Sequence, residues 1–190
     1  MSGLFPVTRH LPLWLGRVAL LLAAALWVWA SRTTPQAVTQ GQVPAPQVGF
    51  LAPDFILPTL EGGSQALSDL RGQVVVLNFW ASWCPPCRAE MPTLARVAQE
   101  YAPKRVTVLA INATASDSSE AARRFLAEIG VTLPVVLDLD GQVVQTYRIS
   151  AFPTTFFVDA QGVIRDIVVG GPLSEASLRA RLDALIQEVP

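Results

Sequence analysis

Two cysteines, Cys84 and Cys87, are the residues of this chain best suited to chemistry, and they stand in the run Trp83-Cys84-Pro85-Pro86-Cys87. On a helix that spacing is one turn, so both sulfurs share a face. If the helix starts at Cys84, the unpaired N–H groups and the dipole of its first turn favour an anion there. The Cys84 thiolate then forms below the free-thiol pKa of about 8.5. Cys84 is the expected nucleophile, and Cys87 is placed to attack a mixed disulfide formed at Cys84 and release the reduced substrate. The chemistry is thiol–disulfide exchange, with the Cys84–Cys87 disulfide as the redox centre and no cofactor expected. A structural staple is the weaker alternative, because so short a loop removes little unfolded-state entropy.

The neighbours of the pair refine this. Pro85 is tolerated in the first turn of a helix, and Pro85 and Pro86 both lack a backbone N–H, which leaves that of Cys87 as the main local donor to the Cys84 thiolate. Trp83, directly before the nucleophile, reads as a partly exposed platform beside it, whereas Trp80 reads as core. No metal is expected: the chain has only two cysteines and one histidine, His10, which precedes an apolar segment far from them. Asp138-Leu139-Asp140-Gly141 lacks the further ligands of a calcium loop and reads as a plain turn. A net charge of −1 provides no basic face for nucleic acid.

The elements that must position the pair are legible in the hydrophobic pattern. Phe55-Ile56-Leu57 and Ala66-Leu67 flank the turn signal Glu61-Gly62-Gly63 and predict a small leading hairpin. Val74 to Trp80 is a continuous apolar run rich in β-branched residues, as expected of a central strand covered on both faces. Cys84, Cys87, Met91, Leu94, Ala98 and Tyr101 recur at helical spacing behind it. A strand over Val106–Ile111 follows, then a helix capped by Asp117 or Ser118 and running to about Ile129. Next come a short strand at Pro134–Leu137 and a helical turn at Val143–Tyr147. Thr154–Val158 and Val163–Val169 predict a hairpin around residues 159–162, and Ser174 with Glu175 opens a last helix ending near Gln187. The order implies an α/β fold with a mixed central sheet and helices on both faces.

Ahead of this domain, Leu11–Ala30 is apolar but for Arg17. As a helix it is long enough for a hydrocarbon core of about 30 Å. Arg9, His10 and Arg17 lie at its N-terminal side, so residues 1–10 are expected in the cytoplasm and everything after Ala30 outside. A cleaved signal peptide ending at Val28-Trp29-Ala30 is the rival reading, although Trp27 and Trp29 crowd a site that prefers small residues. Residues 31–49 read as a linker, with Pro35, Pro44 and Pro46, and residues 50–190 as the domain.

Residues 50–188 resemble the thioredoxin superfamily, and within it the anchored TlpA/ResA-type and CcmG/DsbE-type thioredoxin-like reductases. The resemblance rests on Ala52-Pro53-Asp54-Phe55, on Trp-Cys-Pro-Pro-Cys, on Glu90-Met91-Pro92 and on Phe152-Pro153-Thr154-Thr155-Phe156, with residues from about 117 to 138 similar to that subgroup's central insertion. It implies that Pro153 is a cis-proline facing the cysteines, with Phe152 and Pro153 lining the place where an extended substrate pairs. Pro92 is similar to the proline that kinks the active-site helix. Cytoplasmic thioredoxins carry a buried aspartate where this chain has Asn78, so Asn78 cannot accept the proton of Cys87. Glu90 is the substitute: it lies on the same helix face as Cys87, the subgroup has a glutamate there, and burial would raise its pKa into a usable range.

The expected activity is reduction of disulfides in exported proteins, with a role in cytochrome c maturation. An oxidase or isomerase of the same chemistry is the alternative. A peroxidase is disfavoured because the proline-and-threonine arrangement of peroxiredoxins is missing before Cys84, and a copper chaperone because it wants wider cysteine spacing and a distal histidine. By the resemblance, the partners are protein disulfides outside the cytoplasm and a membrane electron donor of the DsbD or CcdA kind, and the location is the bacterial inner (cell) membrane with the domain in the periplasm.

Overall fold

A computed structural model describes residues 13–30 and 43–187. His10, the first two residues of the expected span and most of the expected linker lie outside the described residues. The chain divides into two units, Met1–Val38 and Thr39–Pro190. In the first, α1 (Leu13–Ala30) is a helix. The side chains of Val18, Leu20, Leu21, Leu22, Leu26 and Trp27 on it are exposed. Among the described residues no helix is long and apolar enough to cross a membrane.

The second unit opens with the hairpin of β1 (Ile56–Pro58) and β2 (Ser64–Ala66), paired antiparallel. Its turn uses Gly62 and Gly63 at φ 101° and 95°, a region that only glycine enters freely. There follow β3 (Val74–Trp80), α2 (Pro85–Tyr101), β4 (Val106–Asn112), α3 (Ser119–Ile129), β5 (Val135–Leu137), α4 (Gln142–Thr146), β6 (Thr154–Val158), β7 (Ile164–Val169) and α5 (Glu175–Gln187). The main sheet has the order β5-β4-β3-β6-β7. Helical crossovers make β3, β4 and β5 parallel, while β6 runs antiparallel to β3 and β7 to β6. The expected mixed sheet with helices on both faces is present, in the thioredoxin-like arrangement.

Every residue of β3 is buried. Alternation along the strand sends Val74, Val76 and Trp80 into one core, with Met91 and Leu94 of α2, Phe125 of α3 and Leu178 and Leu182 of α5. Val75, Leu77 and Phe79 enter the other core, with Phe55, Leu67, Tyr147 and Phe156. Asn78 belongs by parity to the α2 side, a polar residue in an otherwise apolar row. A buried amide there must find partners, because leaving it unpaired costs about 1–3 kcal/mol.

Of the two candidate caps for α3, Ser118 does the capping, its Oγ accepting the Ala121 N–H at 3.1 Å. Residues 139–141 bend as a turn, and Asp138 at its start points inward. It is fully buried, and its carboxylate accepts the N–H groups of Val143 and Val144 at 3.3 and 2.8 Å, tying the first turn of α4 to the end of β5. Val163 joins no regular strand but bridges to Leu51, so β7 starts at Ile164.

Candidate active site

The segment between β3 and α2 is short, so α2 starts directly above the end of the central strand. Cys84 is the N-cap, extended at φ −86° and ψ 109°, and Pro85 and Pro86 form the first turn. Proline suits that position because the N–H it lacks has no intrahelical acceptor there. The carbonyl of Cys84 accepts the Arg88 N–H at 3.0 Å, the first bond of the helix. The Cys87 N–H donates to Cys84 Sγ at 3.3 Å. The two sulfurs are bonded at 2.07 Å. Cys84 retains 3% of its surface exposed and Cys87 none, so an approaching sulfur reaches Cys84.

Glu90, one turn beyond Cys87, is buried. Its Oε1 accepts Asn78 Nδ2 at 2.8 Å and its Oε2 accepts the Leu173 N–H at 2.7 Å, from the loop between β7 and α5. Asn78 Nδ2 also reaches Thr155 Oγ1 at 3.0 Å. That contact follows from register, since Asn78 and Thr155 are direct cross-strand partners in β3 and β6. Burial pushes the Glu90 pKa up; the Leu173 N–H and the Asn78 amide pull it down, and burial wins. Asn78 Oδ1 is buried with no partner. Turning that amide over would offer Oδ1 to a protonated Glu90, so the pair can satisfy the carboxyl in either protonation state.

Trp83 is 56% exposed, with its Nε1–H donating to the Ser116 carbonyl at 2.9 Å. Its ring meets Phe152 edge-on, centroids 5.9 Å apart. Trp80 is fully buried and packs on Phe125 at 5.7 Å, as a core residue does. The Phe152–Pro153 bond is cis, as the resemblance implied, and Gly171–Pro172 is a second cis bond without any forewarning in the sequence. The Pro153 carbonyl accepts the Gly170 N–H at 2.8 Å. A Cβ on Gly171 would lie 2.6 Å from Pro153 Cγ and 2.9 Å from Glu90 Oε2, so Pro153 and Glu90 close on the same point of that loop. The cis-proline segment thus runs beside the cysteine segment, touching it through Trp83 at one end and near Glu90 at the other.

All eight residues singled out in the sequence, Trp83, Cys84, Pro85, Pro86, Cys87, Glu90, Phe152 and Pro153, therefore fall in one region. Sequence reading missed three others that border it. Asp117, considered only as a helix cap, accepts both the N–H and Oγ of Ser82 at 2.6 Å. Gly171 and Leu173 complete the surroundings of Glu90, and no local signal marks them. Pro92 lies inside α2, exposed to solvent. Among the described residues no cluster of His, Cys, Asp and Glu could hold a metal ion.

Residues 48–167 match the AhpC/TSA family. The chain is 41% identical over 138 residues to the thioredoxin-like protein YneN of Bacillus subtilis, covering 72% of this chain and 79% of that one. It is 39% identical over 123 residues to the thiol-disulfide oxidoreductase ResA of Geobacillus kaustophilus, covering 65% and 70%. A secreted Mycobacterium tuberculosis disulfide oxidoreductase homologous to E. coli DsbE superposes with a TM-score of 0.63 at 29% identity, over 69% of this chain and 96% of that one. With its cysteine pair capping α2 and this kinship, the chain belongs to the AhpC/TSA family, on the thioredoxin-like branch of the ResA-type thiol-disulfide oxidoreductases.

Proposed function

We propose that this thiol-disulfide oxidoreductase reduces disulfides in exported proteins and keeps the haem-binding cysteines of cytochrome c reduced. In this reading residues 1–10 are cytoplasmic, 11–30 anchor the chain in the inner membrane, 31–49 are a tether, and 50–190 form the catalytic domain in the periplasm. The observation that carries the reductase assignment is the position of Cys84, an N-cap whose sulfur receives the Cys87 N–H, with prolines at the next two residues.

With the pair reduced, the Cys84 thiolate attacks one sulfur of a substrate disulfide, forming a mixed disulfide and releasing the other sulfur as a thiolate that takes up a proton. Cys87 passes its proton toward Glu90 and attacks Cys84 Sγ, which closes the intramolecular disulfide and expels the second substrate thiolate. Two electrons have passed to the substrate, and a membrane dithiol donor of the DsbD or CcdA kind returns them. Trp83, Pro85 and Pro86 on one side and Phe152 and Pro153 on the other form the walls against which the substrate lies.

The location is supported by the apolar run Leu11–Ala30, which holds one charge, and by the positive residues at its N-terminal side. The test is trapping in the full chain. Replacing Cys87 by alanine leaves Cys84 unable to resolve its mixed disulfides, so exported thiol proteins, cytochrome precursors among them, should be recovered bound to Cys84. Recovery of cytoplasmic proteins alone would overturn the location, and absence of any adduct together with failure to reduce insulin would overturn the reductase assignment.

A further inference from the structure

Every polar group of Ser82, the residue before Trp83, is taken. Its N–H and its Oγ donate to the two carboxylate oxygens of Asp117, each at 2.6 Å. Its carbonyl accepts Arg88 Nη1 at 3.3 Å. Asn112 Nδ2, at the end of β4, adds a third donor to Asp117 at 2.9 Å. The residue before Asp117 holds the next link, because the Ser116 carbonyl accepts the Trp83 indole N–H at 2.9 Å. Ser116 and Asp117 thus grip two consecutive residues ahead of the nucleophile. Burial alone would raise the Asp117 pKa, but the hydrogen bonds from Asn112 and Ser82 outweigh it and hold the carboxyl below its ordinary range. None of these contacts touches a sulfur.

An exposed tryptophan has little buried surface to hold it in one rotamer. If the ring had to be ordered by each incoming substrate, affinity would fall by about two- to tenfold. The clasp removes that cost in advance.

We propose that Asp117 is a positioning residue for the exchange reaction: by fixing the Ser82–Trp83 peptide it presets the Trp83 ring as a wall for polypeptide disulfides, a wall that a small disulfide does not need. This rests on the reading above that Trp83 meets the substrate. It also assigns a task to the residues inserted between β4 and β5, which reach back to the catalytic loop.

The test is a double-mutant cycle in the full chain, with dithiothreitol as the electron source and two probes, insulin and bis(2-hydroxyethyl) disulfide. Asp117→Asn should raise KM for insulin about fivefold with kcat changed by less than about twofold, and leave turnover of the small disulfide unaltered. In a Trp83→Ala background the same change should have no further effect on insulin, because its route is gone. An equal loss in both backgrounds, or an equal loss on both probes, would overturn the proposal, the second outcome showing a merely structural role. Should Asp117→Asn not fold, Ser82→Ala removes one arm of the clasp and is held to the same pattern at about twofold. If Trp83→Ala leaves insulin KM unchanged, the reading of Trp83 falls and takes the proposal with it. If Trp83→Ala weakens insulin and Asp117→Asn does not, the proposal alone falls.

Discussion

Asn78 and Glu90 are joined by a 2.8 Å hydrogen bond across the buried interface of β3 and α2. The amide supplies a donor to a carboxylate taken out of water, and with the Leu173 N–H it gives each oxygen of Glu90 a partner. A carboxylate so placed is stabilised as an anion by its partners and destabilised by its burial. Burial is the larger effect, and the proton is held more tightly than on an ordinary glutamate.

The first prediction concerns that proton. Because the folded-state pKa of Glu90 is raised, the folded chain binds its proton more tightly than the unfolded chain does. The stabilisation is therefore complete in acid, below the ordinary carboxylate value, and is lost as pH rises through the raised folded-state value. Glu90→Gln cannot titrate. Its urea-unfolding free energy, compared with wild type, should gain with rising pH across that window, and a constant difference would mean that Glu90 is not shifted. The same variant should slow resolution of the Cys84 mixed disulfide by about a hundredfold and flatten its pH dependence, if Glu90 accepts the Cys87 proton. Stopped-flow release of a chromogenic thiol reads this step, and an unchanged profile would remove Glu90 from the mechanism.

A second prediction follows from the space around Gly171. A methyl at 2.6 Å from Pro153 Cγ and 2.9 Å from Glu90 Oε2 has no room. Gly171→Ala should therefore destabilise the fold by about 1–3 kcal/mol, the usual cost of overpacking, and lower insulin reduction by displacing the loop that carries the Leu173 N–H. The same change at Gly170 meets nothing within 4 Å but sits at φ 83°, so its cost is backbone strain and its effect on Glu90 should be smaller. Urea midpoints and insulin assays on the two variants separate space from strain.

The third prediction is a redox potential. Two prolines after Cys84 leave the Cys87 N–H, at 3.3 Å, as the local amide donor to its sulfur. Fewer donors mean a less stabilised thiolate and a pair that holds its electrons less tightly. The potential should lie below the value of about −120 mV of the strong oxidant DsbA. Equilibration against a glutathione buffer measures it, and a result near that of DsbA would favour the oxidase alternative.

The chemistry was legible because its signals are local. A strand-like run, two cysteines one turn apart and prolines at helix-starting positions sit within a few residues of each other, and each obeys a short-range rule of backbone geometry. The same holds for the element order, since hydrophobic period is read window by window. The clasp of Asp117 on Ser82 spans a separation of 35 residues, and the bond from Leu173 to Glu90 spans 83. No window contains both ends, so Asp117 read as a helix cap and Gly171 as nothing at all.

By itself, then, the order of residues determined which atoms can exchange disulfides and that a strand must deliver them to the start of a helix. Tertiary structure decided the surroundings of those atoms: that the parity of β3 turns Asn78 toward Glu90, that a distant loop crowds both Glu90 and Pro153, and that Ser116 and Asp117, beyond β4, hydrogen-bond the two residues just before Cys84. The physical reason is that propensity and period act along the chain, whereas burial, which shifts a proton's affinity and excludes a methyl group, depends on what the fold brings near.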